Sequence, residues 1–205
     1  DHQFNGSVSD LYNDQTFYRT FLRDLRAAKR EVVICSPFIT KYRFQFFRQT
    51  LNELQRRNVA VFIFTRAIAD QDFARRFETR SAITDFEAAG AFVIQLPGAV
   101  HEKVAIIDRE ILWEGSLNIL SQRESREMMR RTADGIAALQ VMTYLRLTGM
   151  IADGYHKQYE RICRGLVDRM QQTKLLWRTI IAAVAVLTLA AWWLVPHLNG
   201  MMETI

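Results

Sequence analysis

Short apolar runs alternate with amphipathic helical stretches through the first half of the chain, and this alternation restricts the fold more than any other feature. The run Val59–Thr65 (VAVFIFT) is apolar almost throughout, as in a strand covered on both faces. In the stretch Asn13–Ala28, apolar residues fall three or four apart and so share one helical face: Phe17, Phe21, Leu22, Leu25 and Ala28. The predicted order is helix, strand, helix, strand, helix, strand, over Asn13–Ala28, Glu31–Ser36, Arg43–Arg57, Val59–Thr65, Ser81–Ala89 and Ala91–Leu96.

This order predicts an α/β domain, with helices on both faces of a mixed, largely parallel sheet. Two further short strands, Lys103–Ile107 and Ile111–Glu114, are expected to form a hairpin, and another strand is expected at Glu127–Thr132. From Asp134 to Gln171 the pattern is helical, with Gly149 and Gly154 as the expected interruptions. We expect the α-β-α domain to occupy residues 1–150.

The charge balance favours a polyanionic partner. The 205-residue chain has a net charge of +5 and a pI of about 9.5, which suits nucleic acid or anionic lipid headgroups without choosing between them. Its two cysteines, Cys35 and Cys163, form neither a disulfide framework nor a zinc motif, which is typical of a reducing compartment. Cys35 lies in an apolar run and is expected to be buried.

Residues 101–118 (HEKVAIIDREILWEGSLN) carry the chemistry. On a strand, His101 and Lys103 project to the same side, which pairs a group that titrates near neutrality with a fixed cation. Gly115 lets an anionic ligand approach the backbone, while Ser116 and Asn118 add small polar donors. One attacking nitrogen with several donors for non-bridging oxygens is what a phosphodiester requires.

The specificity of this signal depends on its length. His-x-Lys alone is more typical of a solvent-exposed strand end, because such short matches arise often by chance. The full pattern fixes six residue identities over eighteen positions and falls in a predicted strand–hairpin–strand context. We therefore interpret it as a functional site.

This pattern resembles the HKD motif of the phospholipase D superfamily, at every defining position. The resemblance implies a phospholipase D-like domain, with no metal or other cofactor, in which a histidine attacks phosphorus and a second histidine protonates the leaving oxygen. It implies that His101 is the nucleophile or general acid, that Lys103, Ser116 and Asn118 bind the phosphate, and that Asp108 orients or balances the charged cluster. It also implies a carboxylate that hydrogen-bonds the histidine; the candidate is Glu127, with Glu124 in reserve.

The chain has one such motif, whereas the chemistry uses two histidines. None of His2, His156 and His197 has a lysine two positions on, and His156 is interpreted as a helical surface residue. A two-fold interface presents the same patch from both subunits, so it can bring His101 against its own symmetry mate. We therefore expect a homodimer.

A long uncharged segment lies near the C-terminus. Residues Thr179–Val195 have no charged side chain, and with Leu175–Trp177 the run is long enough for a transmembrane helix over 175–196. A fully buried core helix is the alternative. Basic residues occur before the segment and not after it, which predicts a cytoplasmic domain, a helical basic segment at 151–174 and an external tail at 197–205. The basic segment would also lie against anionic lipid.

Three functions fit these features. A nuclease is favoured, because short single-motif members of the superfamily are commonly nucleases and many basic residues could follow a nucleic-acid backbone: Arg66, Arg75, Arg76, Arg80, Arg123, Arg126, Arg130 and Arg131. Phe38, Tyr42 and Trp113 could stack bases, although core packing is the commoner role of such residues. A phospholipid phosphodiesterase or phosphatidyltransferase is the alternative, and a non-catalytic assembly module the third.

Overall fold

The computed structural model of the chain describes residues 8–121 and 125–202, with side chains at 9–121, 125–156 and 167–187. Contacts divide the chain into two units, residues 1–154 and 155–205. The described elements in chain order are β1 (Val8–Asn13), α1 (Asp14–Ala27), β2 (Glu31–Cys35), α2 (Lys41–Arg56), β3 (Ala60–Arg66), α3 (Phe73–Ala88), β4 (Phe92–Leu96), β5 (Val104–Ile107), β6 (Ile111–Gly115), β7 (Met128–Ala133), α4 (Gly135–Tyr144) and α5 (Leu147–Met202).

The sheet of the first unit is mixed, as predicted, but it is not largely parallel. Its strand order is β1-β7-β6-β5-β2-β3-β4. Only the pairs β2–β3 and β3–β4 are parallel, because α2 and α3 carry the chain back between them. The four other pairings are antiparallel, and of these β5–β6 is a hairpin joined by residues 108–110. The expectation of a largely parallel sheet is therefore wrong, because four of the six strand pairings are antiparallel.

Helices cover both faces of the sheet, so the three-layer prediction is confirmed for the first unit. Val32, Ile34, Val61 and Ile63 point to the side of α1, α2 and α3, where they pack with residues such as Phe17, Phe21, Leu54 and Phe86. The alternate residues pack on the opposite side against α4 and the start of α5, in a cluster with Val33, Cys35, Phe62, Phe64, Ile106, Ala138, Met142 and Ile151. Burial on both faces explains why these strands are continuously apolar.

Several predicted boundaries change for local reasons. Asn13 caps α1, because its side-chain oxygen accepts from the backbone N–H groups of Gln15 and Thr16 at 3.1 and 3.0 Å. The edge strand β1 was not predicted, since its sequence VSDLYN is too polar to show a buried alternation. Helix α3 begins at Phe73, eight residues before the predicted Ser81. The earlier start was not predicted, because the first six residues of the helix are all exposed and show no apolar periodicity.

The interruptions predicted at Gly149 and Gly154 are wrong. The chain breaks instead at Leu145–Arg146, where Arg146 has a φ of 54°. A Cβ on Gly154 would lie 2.7 Å from the Phe62 ring, so this glycine permits close packing of α5 on the sheet.

A buried polar cluster ties α1 to the antiparallel half of the sheet. Asp24 accepts from the Trp113 indole N–H at 3.0 Å and from Arg131 Nε at 2.6 Å. Trp113 is fully buried and packs edge-on to Phe17 and Phe21. Trp113 is therefore a core residue and does not stack bases, and the Arg131 guanidinium is held by a carboxylate inside the fold.

The C-terminal part of the chain is one helix, α5, through Met202. Within the residues that the structure describes, no single helix has both the length and the apolar character to cross a membrane. Helices 135–144 and 147–156 meet that condition only together and are bent by 86°. The transmembrane helix expected over 175–196 remains a prediction, and its side chains beyond 187 lie outside those described.

Candidate active site

The structure brings His101 and Lys103 into direct contact immediately before β5. Lys103 Nζ donates to the His101 carbonyl oxygen at 2.6 Å and lies 3.0 Å from Nδ1 of the same ring. Gly115 N–H donates to the Lys103 carbonyl at 3.2 Å, which fixes this segment to the end of β6. The imidazole is exposed whereas Lys103 is buried. An exposed imidazole thus contacts the ammonium group of a buried lysine.

The electrostatics at Lys103 come from its burial and from three charged neighbours. Burial lowers the pKa of Lys103, because the ammonium loses hydration. The carboxylates of Glu127 and Glu102 raise that pKa, and the guanidinium of Arg66 lowers it. Glu127 therefore acts on Lys103 despite being 24 residues away in sequence. Its predicted hydrogen bond to His101 stays a prediction; its described partner is Ser125 at 3.0 Å. The reserve candidate Glu124 lies outside the described residues.

Gly115 and Ser116 join β6 to β7 beside the lysine. Ser116 N–H donates to the Met128 carbonyl at 3.0 Å, and Met128 N–H donates to Ser116 Oγ at 3.2 Å. A Cβ at position 115 would collide with the Met128 carbonyl oxygen. Glycine is therefore required at position 115 because β6 and β7 approach closely there. The sequence pattern alone did not indicate this reason.

Asn118 lies in a loop that is fastened to the end of β2. Leu120 N–H donates to Ser36 Oγ at 3.2 Å, and Ser36 Oγ donates to the Phe38 carbonyl at 2.9 Å. Tyr18 Oη donates to the Ile119 carbonyl at 3.1 Å. Within the described part of the chain, the Asn118 side-chain oxygen is buried without a hydrogen-bond partner. Such an atom is costly to leave unpaired in a folded protein.

Asp108 does not contact this cluster, so its predicted role in orienting or balancing the charges could only be indirect and stays a prediction. Its carboxylate accepts from the backbone N–H groups of Lys29, Arg30 and Glu31 at 2.7, 2.7 and 3.0 Å. It follows β5 whereas Lys103 precedes it, and at about 3.3 Å per strand residue β5 separates them by more than about 10 Å. Asp108 therefore stabilises the start of β2.

A cavity of about 500 Å³ lies directly beside the imidazole. His101, Glu102, Lys103 and Glu114 form its polar side, together with Arg130. The remaining wall is apolar and comes from β1, β7 and the end of α4, through Leu11, Met128, Val141, Tyr144 and Leu145. This wall was not predicted from the sequence, because only tertiary structure brings β1 and α4 next to the motif.

The basic residues predicted to follow a substrate separate into groups. Arg66 acts on Lys103 and Arg130 lines the cavity, whereas Arg131 is bound to Asp24. Arg126 is exposed, and Arg123 lies outside the described residues. Tyr42 is also largely exposed, on α2. In the ranges with described side chains, no group of three or more His, Cys, Asp or Glu residues could hold a metal ion.

Comparisons with known proteins agree with this geometry. The family described as "Cardiolipin synthase, PLD-like domain" matches residues 21–146, more than half of the chain. No curated protein sequence matches significantly.

Solved structures share the fold at low sequence identity. The phospholipase D family member Nuc from Salmonella typhimurium superposes with a TM-score of 0.57 at 14% identity, over 69% of this chain and 93% of its own. NucT from Helicobacter pylori gives 0.55 at 17% identity, over 69% and 94%. The polyphosphate kinase from Porphyromonas gingivalis gives 0.54 at 14% identity, over 68% of this chain but only 26% of its own.

The layered fold and the His101–Lys103 site define a member of a superfamily of phosphodiesterases. The chain belongs to the phospholipase D superfamily, through a PLD-like domain that contains the complete motif.

The structural role of Asp108 predicts a loss of stability without a loss of chemistry. Asp108→Asn should lower the free energy of unfolding by about 2–3 kcal/mol, because three backbone donors lose an ionised acceptor. Urea unfolding followed by circular dichroism measures this change. The matched variant Glu110→Gln, which breaks only an exposed pair with Arg30, should cost less than about 1 kcal/mol. A folded Asp108→Asn protein that no longer hydrolyses a small phosphodiester would contradict a purely structural role of Asp108.

The charge of Glu127 predicts a shift in pH dependence. Glu127→Gln removes a negative charge that raises the pKa of Lys103, so the ammonium should lose its proton at a lower pH. The alkaline limb of the kcat/KM profile for bis(p-nitrophenyl) phosphate should therefore move to lower pH. Glu114→Gln, at a cavity carboxylate that does not contribute to the Lys103 pKa, should leave that limb in place. An unmoved limb in Glu127→Gln, or one moved upward, would contradict the assignment.

Proposed function

We propose that this protein is a metal-independent nuclease, an endonuclease that hydrolyses nucleic-acid phosphodiester bonds in a site shared between two copies of the chain. The observation that carries the proposal is the exposed imidazole of His101, which is contacted by a buried lysine at the edge of an open cavity. A phosphodiester bound there meets a nucleophile on one side and a fixed positive charge on the other.

The reaction has two steps. A ring nitrogen of His101 attacks phosphorus, the bond from phosphorus to the leaving oxygen breaks, and the partner's His101 gives that oxygen its proton. Water then attacks the phosphohistidine, the partner's His101 takes the proton from this water, and the N–P bond breaks. Lys103 and Asn118 hold the non-bridging oxygens, where negative charge must be stabilised in both steps.

The homodimer follows from the number of histidines. His101 is the single histidine among residues 8–154, and the chemistry needs both a nucleophile and a general acid. The side of the domain that contains the cavity also has large apolar side chains that are mostly exposed, including Leu11, Met128 and Tyr144. A two-fold contact on this side would bury that surface and bring the two imidazoles together.

Nucleic acid is favoured as the substrate for two reasons. Short superfamily members with one motif are commonly nucleases, and the chain has a net charge of +5. Arginines also occur close to the site: Arg66 is near enough to lower the Lys103 pKa, and Arg130 lines the cavity. Guanidinium groups bind phosphate oxygens in a bidentate manner, which suits a substrate with a phosphate at every residue.

A phospholipid phosphodiesterase or phosphatidyltransferase is the second candidate, and the cavity wall favours it. Leu11, Met128, Val141 and Leu145 offer apolar surface next to the imidazole, where an acyl chain or glyceride could lie. The same surface suits a two-fold interface. The two candidates therefore differ in what covers this wall.

We further propose that the helix over 175–196 anchors the domain to a membrane, with residues 1–174 in the cytoplasm and residues 197–205 outside. Support comes from the described side chains at 175–187, which include many exposed apolar residues: Leu175, Leu176, Trp177, Ile180, Ile181, Val184, Val186 and Leu187. Exposed apolar side chains around a helix are stable in lipid and unfavourable in water. Arg169, Lys174 and Arg178 precede or begin this stretch, so they would lie at the cytoplasmic headgroups.

The substrate and the shared site are tested together on the detergent-solubilised chain. Wild type should cleave labelled single- or double-stranded nucleic acid in the presence of EDTA, and His101→Ala should lose that cleavage by at least about 10³-fold, because the nucleophile is absent. Mixing the two proteins should give heterodimers with little activity, since each shared site needs both imidazoles.

Parallel incubation with phosphatidylglycerol and cardiolipin separates the two candidate substrates. Lipid turnover without nucleic-acid cleavage would contradict the nuclease function and support a phospholipid phosphodiesterase or phosphatidyltransferase. Full activity for each wild-type chain in the mixture would show that one chain is sufficient and would contradict the proposed shared site.

The anchor predicts retention in membranes under conditions that release peripheral proteins. The full chain should remain in the pellet after alkaline carbonate extraction, whereas a chain ending at residue 174 should appear in the supernatant. Release of the full chain would show that the helix over 175–196 does not span the bilayer.

A further inference from the structure

Arg66 is the last residue of β3, at the end of the sheet where the active site lies. Because β3 is parallel to β2 and β5 is antiparallel to β2, the ends of β2 and β3 meet the start of β5 there. One strand separates β3 from β5, so the backbones of Arg66 and Lys103 are about 10 Å apart across the sheet. An arginine side chain is long enough to bring its charge from there to the site.

The Arg66 side chain is directed to the segment that carries His101. Its Nη2 donates to the Val100 carbonyl at 2.9 Å, one residue before His101. Its positive charge is also close enough to lower the pKa of Lys103. Arg66 is therefore a second cation beside segment 100–103, in addition to Lys103 itself.

A further arginine, Arg75, shares an aromatic contact with Arg66. The Arg75 guanidinium, which projects from α3, lies 4.8 Å from the centre of the Phe38 ring, and the Arg66 guanidinium lies 5.2 Å from the same centre. Phe38 is half-buried in the loop after β2, where its carbonyl accepts from Ser36 Oγ at 2.9 Å. This ring therefore holds two guanidinium groups close to each other at the site.

Arg66 and Arg75 form no ion pair with a carboxylate among the residues whose side chains the structure describes. Glu102 and Glu127 act on Lys103 instead. In the same part of the chain, Arg66 Nε is buried without a hydrogen-bond partner. Neighbouring like charges and an unsatisfied buried donor are both unfavourable, and a bound anion would relieve both.

We propose that Arg66 and Arg75 form a second phosphate subsite, which binds the phosphate next to the scissile diester of a polynucleotide. This inference rests on the proposed nuclease function and deepens it, because it names a substrate with at least two neighbouring phosphates. The two guanidinium groups donate to the non-bridging oxygens of that neighbouring phosphate, while Lys103 holds those of the scissile group. A diester without a neighbouring phosphate leaves the subsite empty and is a poorer substrate.

The position of this subsite favours nucleic acid over lipid. The apolar wall of the cavity includes residues of β1 and β7, which lie on one side of β5 in the strand order. Arg66 ends β3 and Phe38 follows β2, and both strands lie on the other side of β5. A nucleic-acid strand has a phosphate at every residue, so it can continue past the imidazole in that direction. An acyl chain would gain nothing from two charged guanidinium groups.

Two dinucleotides measure the contribution of a neighbouring phosphate. Thymidylyl-thymidine, TpT, has one diester and no other phosphate, whereas pTpTp has the same diester with a phosphate on each side. For the detergent-solubilised full chain, kcat/KM should be at least about tenfold higher for pTpTp, because guanidinium–phosphate contacts are among the stronger hydrogen bonds. Equal values for the two dinucleotides in wild type would overturn the proposal.

Loss of either arginine should reduce this preference for pTpTp. Arg66→Gln and Arg75→Gln should each lower the ratio of the two kcat/KM values by at least about threefold, since each removes a cation from the subsite. The ratio is the readout because Arg66→Gln also loses the bond to Val100 and can slow both substrates alike. Arg75 is exposed, so its variant tests the subsite even if Arg66→Gln fails to fold.

Arg48→Gln is the matched control, at an exposed arginine of α2. It should keep the wild-type ratio, because it changes the net charge equally at a position outside the subsite. A wild-type ratio in both Arg66→Gln and Arg75→Gln would contradict the assignment. An equal fall in Arg48→Gln would reduce the effect to net charge and would contradict it as well.

The outcomes separate the subsite from the reaction on which it rests. Cleavage of both dinucleotides at equal kcat/KM would refute the subsite alone. Failure of wild type to cleave either dinucleotide or the labelled nucleic acid would refute the nuclease function, and the subsite with it. Cardiolipin has two phosphates and phosphatidylglycerol has one. A preference for cardiolipin that Arg75→Gln abolishes, with dinucleotide cleavage unaffected, would assign the subsite to a lipid and reject nucleic acid as its ligand.

Discussion

The capture of three backbone N–H groups by one carboxylate is the constraint on which the rest of the site depends. Asp108 accepts from residues 29–31 and so fixes the start of β2 against the end of β5. It sets the antiparallel register in which Val32 faces Ile107 and Cys35 faces Val104. Asp108 and Arg109 both have positive φ values, 54° and 61°, and the cost of this tight turn is offset by the hydrogen bonds of Asp108 and by the ion pair between Arg109 and Glu31.

That register determines what happens at the other end of the same strands. A slip by one residue would turn Lys103 from the site toward the opposite face, because side chains alternate along a strand. In the observed register Lys103 is buried beneath an exposed imidazole, and the loop with Asn118 is held by Ser36 at the end of β2. Asp108, the third residue of the HKD pattern, thus stabilises the strand register that places Lys103, without contacting His101 or Lys103.

How much could be predicted from the sequence depends on which signals are local. Strands β2 and β3 were readable because burial on both faces makes them continuously apolar, and the contact between His101 and Lys103 follows from their spacing. The direction of β5, β6 and β7, the edge strand β1 and the apolar cavity wall depend on contacts distant in sequence. The distance of Asp108 from the site could not be predicted, because proximity in sequence does not show which end of β5 a residue occupies. The first half of α3 was not predicted because its residues are exposed, so its sequence lacks the apolar periodicity of a helix with one buried face.

The burial of Cys35 has a consequence for the chemical resilience of the site. Its thiol lies in the core one residue before Ser36, and burial raises its pKa to about 12, with Glu102 adding to the effect. The thiolate is the form that reacts with electrophiles and peroxides, so at physiological pH this sulfur stays inert. The end of β2, which holds the loop with Asn118, therefore carries no oxidant-sensitive group at this position, so thiol oxidation does not reach the site through Cys35.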